Sequence, residues 1–390
     1  MRNWKIIIKC IKYSKSHSSL CGTHGMYNYD LTKNESLYLD LVRVIASQLV
    51  LVGHAISYFS LFECLHEPNF PWMQNISVVI FFILSGFVIT YSINIKNKDG
   101  KYTFKLFFID RFSRIYSGFV PAIIFIVLLD YTTILINSSG YHYFSAFNMS
   151  TFFSNLLMLQ DFPINNINIF KIFEPIATVD IPTSFGSARV LWTISIEWWI
   201  YMFFGFVYFL FMNKEKFKFT YAFLFLISIV VFLSNLFDGR GNALAIFWLL
   251  GMFGCVVYPK YKETIKDVGI KAFISFIFLF LCINRQFSVI SGYDSYFAFY
   301  LFLLMLSLLD LSNNINICKF KSIIKILASY SFSLYLIHYS ILDFIANNFS
   351  GLSGIEKFFV GFFSSNLLAF IISRFSEVKL TRKVKDWLTA

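Results

Sequence analysis

Residues 37–61 read LYLDLVRVIASQLVLVGHAISYFSL, with Asp40, Arg43 and His54 as the only acidic or basic side chains in the stretch. About 20 mostly apolar residues wound as a helix cross the ~30 Å hydrocarbon layer of a bilayer, so this segment reads as a membrane span. The pattern repeats along the chain. Further apolar runs fall at 76–94, 118–136, 190–212, 220–237, 243–258, 270–284, 294–309, 326–347 and 355–373, which makes ten. The sixth, seventh and eighth are short, and the seventh is the weakest of them. Composition agrees. Of 390 residues 57% are hydrophobic and only 14% charged, against about 45–50% and about 25% in soluble domains. Fifty-one Phe and 22 Tyr bring the aromatic share to 21%, and mean hydropathy is +0.65. Soluble cores in a chain this long cannot hide that much apolar surface. A disordered chain, a disulfide scaffold and a soluble enzyme are excluded. The expectation is an all-α integral membrane protein, a bundle of about ten transmembrane helices.

The net charge of +11 does not point to nucleic acid, because the basic residues are spread over short segments between apolar runs. They do fix an orientation. With a cytoplasmic N-terminus, 27 of the 33 Lys and Arg fall in inside segments and five outside; Arg43 lies within the first span. The bias holds at every loop, as the positive-inside rule requires, and puts both termini in the cytoplasm. Residues 1–36 read as a polar, basic cytoplasmic tail without a secretory signal, with Met26 a candidate true start. Residues 37–373 form the membrane domain and 374–390 a basic cytoplasmic tail. The longest outside loop, 137–189, is long enough to be functional. The six Cys, at 10, 21, 64, 255, 282 and 318, form no CxxC pair, so no metal site and no disulfide framework is expected.

Ionisable residues inside a bilayer are costly and mark candidate sites. Arg43 and His54 are eleven residues apart, about three turns, so they share one face ~16 Å apart along the axis. Asp40 is placed to pair with Arg43. Glu197, in the stretch Leu191-Trp192-Thr193-Ile194-Ser195-Ile196-Glu197, lies about seven residues from the outer end of its span, as does His54. Both would sit ~10 Å deep. A carboxylate beside an imidazole would orient the ring and suit a general base. The plainer alternatives are that Arg43 snorkels to the inner headgroups, that His54 bonds a neighbouring helix, and that Glu197 pairs with Arg189. Arg111 and Arg114 form an R-x-x-R pair in the inside segment before span 3. Their guanidinium forks suit phosphate, although positive-inside topology alone would also place basic residues there. Ser85-Gly86 suits close helix contact. His338 lies near mid-membrane, where a packing or hydrogen-bonded role is the plain reading. Asp130 and Asp343 read as interfacial or packing residues.

Together these stretches resemble the membrane acyltransferase-3 family, which includes bacterial O-acetyltransferases of surface polysaccharides. The resemblance is carried, in order, by Leu39-Asp40-Leu41-Val42-Arg43 with Gly53-His54-Ala55, Phe82-Ile83-Leu84-Ser85-Gly86-Phe87, Arg111 with Arg114, Leu191 to Glu197, and Ser333-Leu334-Tyr335-Leu336-Ile337-His338. It spans about residues 37–380. Tyr339-Ser340 stands where the family often has Trp-Pro, and Tyr116-Ser117 where a Pro usually follows the Arg-Ile.

The resemblance implies a stand-alone enzyme of the bacterial inner membrane. It would be an O-acetyltransferase moving an acetyl group from cytoplasmic acetyl-CoA to a hydroxyl of a lipid-linked or surface glycan, such as O-antigen of lipopolysaccharide, capsule or exopolysaccharide. Arg111 and Arg114 would bind CoA phosphates. Arg43 would guide the pantetheine arm or its phosphates. His54 would act as general base or carry the acetyl group, and Glu197 would orient His54 or hold the acceptor. Ser195, Trp192, Ser85, His338 and Asp40 are further candidate site residues, and no metal is expected. Two other readings stay open. One is a glycan or solute transporter with Arg43, His54 and Glu197 as a proton relay. The other is a different kind of membrane-bound O-acyltransferase with His338 as its catalytic histidine.

Overall fold

The computed structural model describes residues 29–67, 69–163, 182–212, 219–237, 239–289 and 292–389; the candidate start at Met26 lies outside them. The described residues are all-helical in their regular structure. Ten helices match the ten apolar runs: α1 (Lys33–Tyr58), α2 (Met73–Lys96), α3 (Phe104–Asn137), α5 (Trp192–Val207), α6 (Ala222–Phe237), α7 (Leu244–Thr264), α8 (Val268–Val289), α9 (Ser295–Leu311), α10 (Lys321–Asn348) and α11 (Gly354–Ser373). Two short helices join them, α4 (Met149–Leu156) in the long loop and α12 (Thr381–Thr389) after α11. Among the described residues nine helices are long and apolar enough to cross a membrane. The exception is α6, whose 16 residues reach ~24 Å. The sequence picked out the seventh run as the weakest, yet α8 extends it to 22 residues, chiefly at its C-terminal end, where it takes in Arg285, Gln286 and Ser288.

Helix starts follow local chemistry. Thr32 and Glu35 form a capping box at α1, as Ser353 and Glu356 do at α11. Thr103, Asn148 and Asp294 cap α3, α4 and α9 through their side-chain oxygens. Pro121 stands inside α3 without ending it, as membrane helices allow when neighbours satisfy the freed backbone.

Ion pairs gather the helix ends into two levels. At one end Lys262 reaches Glu35 (2.6 Å), Lys98 reaches Asp30 (3.0 Å), Lys271 reaches Asp310 (2.8 Å), and Lys96 and Lys385 both reach Asp110 (2.5 and 2.6 Å). These contacts bring together the starts of α1, α3 and α8 and the ends of α2, α7 and α9, so successive helices alternate in direction. At the other end Arg240 meets Asp161 (2.6 Å) and Arg285 meets Asp294 (2.7 Å).

The most extensively packed helix pair is α2 with α7. A Cβ on Gly86 would stand 1.9 Å from the Trp248 carbonyl oxygen, and one on Gly251 would stand 1.9 Å from that of Ile83. The two glycines face each other's backbones, the small-residue crossing expected where lipid supplies no hydrophobic drive between helices. Helix α10 occupies the middle of the bundle, packing on α1, α3 and α11. Large apolar side chains such as Phe273, Phe276 and Phe280 of α8 and Phe359 and Phe363 of α11 face outward.

Asp130 and Asp343 are packing residues, buried within the protein. Asp130 is 1% exposed and accepts bonds from the Ser187 amide (2.8 Å), the Ser187 hydroxyl (2.5 Å) and Tyr141 (2.9 Å). Burial, then the Asp130 carboxylate, raises the Tyr141 phenol and keeps it a donor. This clamp ties the loop before α5 to α3. Asp343, equally buried, accepts a bond from the Tyr58 hydroxyl, which joins α10 to α1.

Candidate active site

Five helices meet around a cavity of about 180 Å³. Arg43 of α1, Ser85 of α2, Arg111 and Arg114 of α3, and Glu197 of α5 all line it; Phe81, Phe332 and Tyr335 are among its aromatic walls. Five residues singled out from separate stretches of sequence thus share one chamber. Arg43 and Arg114 each lie ten residues into their helices, ~15 Å from the basic end, and this common depth lets them converge. Arg111 and Arg114 belong to the body of α3 and not to a loop before it. The helix begins at Phe104, one residue after its Thr103 cap, so the pair lies two to three turns inside.

The three guanidinium groups differ. Arg43 is held by Asp40 at 2.9 Å, the pairing their spacing suggests. Arg114 forms an ion pair with Glu377 at 3.0 Å and lies over the Phe332 ring. Glu377 is itself fixed by the Ser333 amide (2.9 Å) and hydroxyl (2.7 Å), so the turn at Arg374–Leu380 reaches back into the bundle. Arg111 has a buried Nε without a hydrogen-bond partner among the described residues.

Among the described residues Glu197 is the only carboxylate lining this cavity. It accepts a bond from the Tyr201 hydroxyl, one turn along α5. Tyr201 also pairs with Ser85 (2.7 Å), and Ser85 accepts the Trp248 indole hydrogen (3.2 Å). A polar chain thus runs from α7 through α2 to the carboxylate. Arg111 and Arg43 are the cations whose fields reach it.

The pairing of Glu197 with His54 is not found. His54 is absent from the cavity lining and packs instead on His338, with ring centroids 5.2 Å apart, and on the edge of Tyr339, at 5.1 Å. Counting residues from a helix end gives depth along the axis but not direction around it. Helix α10 fills the space beside α1 in which the carboxylate was expected. Tyr335 of α10 lines the cavity, bonds Thr193 of α5 (2.6 Å) and lies 6.0 Å from His338, the ring on which His54 packs. Glu197 bonds Tyr201 rather than Arg189. Arg43, His54 and Glu197 do not bond one another directly.

The remaining candidates sit apart. Ser195 turns away, bonding the Gln160 and Trp192 carbonyls (3.1 and 3.0 Å). The Trp192 ring lies under the Arg240 guanidinium at 4.6 Å, at the end opposite the ion-pair cluster. Tyr201, Tyr335 and Glu377 escaped the sequence reading. Tyr201 was accessible, since four residues after Glu197 places it on the same helix face. Glu377 was not, since it stands among five Lys and Arg in a segment that reads as a tail.

The family model of an acyltransferase domain, acyltransferase 3, matches residues 36–374. No curated protein and no solved structure matches the chain.

Proposed function

Because the chain belongs to the acyltransferase 3 family, we propose that it transfers an acetyl group from acetyl-CoA to a hydroxyl of a lipid-linked or cell-surface glycan in the bacterial inner membrane. The observation that carries this reading is the cavity: three guanidinium groups and one carboxylate around a chamber with aromatic walls. At about 180 Å³ it is smaller than the roughly 300–1,000 Å³ of clefts that engulf a drug-sized ligand. It therefore takes the acyl end and the neighbouring part of the pantetheine arm, while the nucleotide stays towards the basic end. The positive-inside bias puts that end in the cytoplasm, where acetyl-CoA is made.

Roles follow from position. Arg111, whose Nε is unpartnered, supplies the bond a donor phosphate or carbonyl would take. Arg114 is engaged by Glu377 and half-exposed, so it adds charge at the mouth. Glu197 holds the acceptor hydroxyl or sets the cation field. His54, beyond Tyr335, acts on the acceptor hydroxyl as general base or carries the acyl group in passing.

A charge-assisted hydrogen bond contributes about 1.5–3 kcal/mol, roughly 10- to 100-fold in affinity. Arg111→Ala is therefore expected to raise the KM for acetyl-CoA at least about tenfold with a smaller effect on kcat, and Arg111→Lys to recover part of it. Transfer kinetics in membranes containing the full chain check this. An unchanged KM would remove Arg111 from the donor site and weaken the acetyl-CoA reading.

A further inference from the structure

His338 is 0% exposed, and its two ring nitrogens have different surroundings. Nδ1 lies 3.0 Å from the Leu334 carbonyl oxygen and 2.9 Å from that of Tyr335. Carbonyl oxygens only accept, so Nδ1 carries a hydrogen. Nε2 has no partner among the described residues. Were Nε2 protonated too, a buried charge would keep an unsatisfied N–H, which costs several kcal/mol. The ring is therefore neutral with its lone pair on Nε2. The nearest titratable ring is His54, 5.2 Å away between centroids. No carboxylate plays this part: Asp343 is bonded to Tyr58, and Glu197 belongs to the cavity beyond Tyr335.

We propose that His338 is the positioning partner of His54, a second imidazole that receives its proton during acyl transfer. The inference rests on the acyltransferase reading and deepens it. As the acceptor hydroxyl attacks the thioester carbonyl, one nitrogen of neutral His54 takes the hydroxyl proton. The other passes its own proton to Nε2 of His338 as the two rings, 5.2 Å apart between centroids, close to hydrogen-bond distance. The new C–O bond forms and the C–S bond breaks, leaving the ester and the CoA thiolate. The proton then returns from His338 through His54 to the thiolate sulfur, and both rings end neutral. The Leu334 and Tyr335 carbonyl dipoles, aimed at Nδ1–H, stabilise the transient imidazolium. Both belong to α10, so the acceptor is locked on a rigid helix. The pair does here what a carboxylate–histidine pair does elsewhere, without a permanent buried charge.

The test compares wild type with His338→Asn and His338→Gln in membranes holding the full chain, using acetyl-CoA as donor. Asn keeps a short amide donor for the two carbonyls and has no basic nitrogen. The proposal expects kcat for His338→Asn to fall about 100-fold or more, as for loss of a proton-transfer group. KM for acetyl-CoA should stay within a factor of two, and added imidazole should restore part of the rate. A kcat within threefold of wild type, or a loss shared with KM that imidazole does not recover, would overturn it. A second measurement is independent of turnover. With 15N-labelled histidine, the His54 ring shifts should change between wild type and His338→Asn, and identical shifts would also overturn the proposal. If wild type itself transfers nothing from acetyl-CoA, the donor reading fails, and the 15N comparison alone decides the pair.

Discussion

Gly86→Val will leave little folded protein in the membrane. A Cβ there would meet the Trp248 carbonyl oxygen at 1.9 Å and the Met252 amide nitrogen at 2.9 Å. Both are backbone atoms of α7, so no side chain can rotate away; the helices must separate. Overpacking costs about 1–3 kcal/mol where neighbours can yield, and more where they cannot. Separation would also pull Trp248 from Ser85 and break the polar chain that ends on Glu197. Gly86→Ala should already lower thermal stability in detergent by several degrees, and Gly251→Ala, its counterpart against Ile83, should do the same. The two should not add, because either alone opens the same crossing. Gly351, with nothing within 4 Å of a Cβ, is the control whose Ala variant behaves as wild type. Normal yield and melting of Gly86→Val would mean that α2 and α7 do not cross here.

The second large effect is expected at Glu197. Glu197→Gln preserves shape and still accepts the Tyr201 hydroxyl hydrogen, so folding should be nearly untouched. It removes the carboxylate that lines the cavity together with Arg43 and Arg111. If the carboxylate holds the acceptor hydroxyl or sets the cation field during transfer, kcat/KM should fall about 100-fold or more. Tyr201→Phe leaves the charge and removes only its hydrogen bond, so its loss should be smaller. Initial rates and melting temperatures of the two variants check both statements. An active Glu197→Gln would make this residue a packing element of α5.

The sequence made the bundle legible because membrane helices are specified by length and apolarity, which one strand of text displays. The ten runs became ten helices, and Gly86 found the close contact its neighbours suggested. The misreadings have a common cause. Depth along a helix can be counted, but the direction a side chain faces depends on which helices surround it. So Arg43, Arg111, Arg114 and Glu197 met as separate motifs converging on one cavity, while His54 was assigned the wrong neighbour. The partners of Asp130 and Asp343, Ser187 with Tyr141 and Tyr58, come from other segments, so the sequence around the two carboxylates does not show them. Glu377 was lost in a basic stretch because α12 and the turn before it fold back on α3 through Lys385 with Asp110 and Thr381 with Ser117, at 2.6 Å each.

The central claim is ester formation through His54. The most direct measurement supplies acetyl-labelled acetyl-CoA to membranes containing wild-type or His54→Ala protein and counts alkali-labile label in the glycan fraction. The account predicts label with wild type and its loss, by about 100-fold or more, with His54→Ala present at equal amount in the membrane. Equal labelling by the two proteins would contradict it.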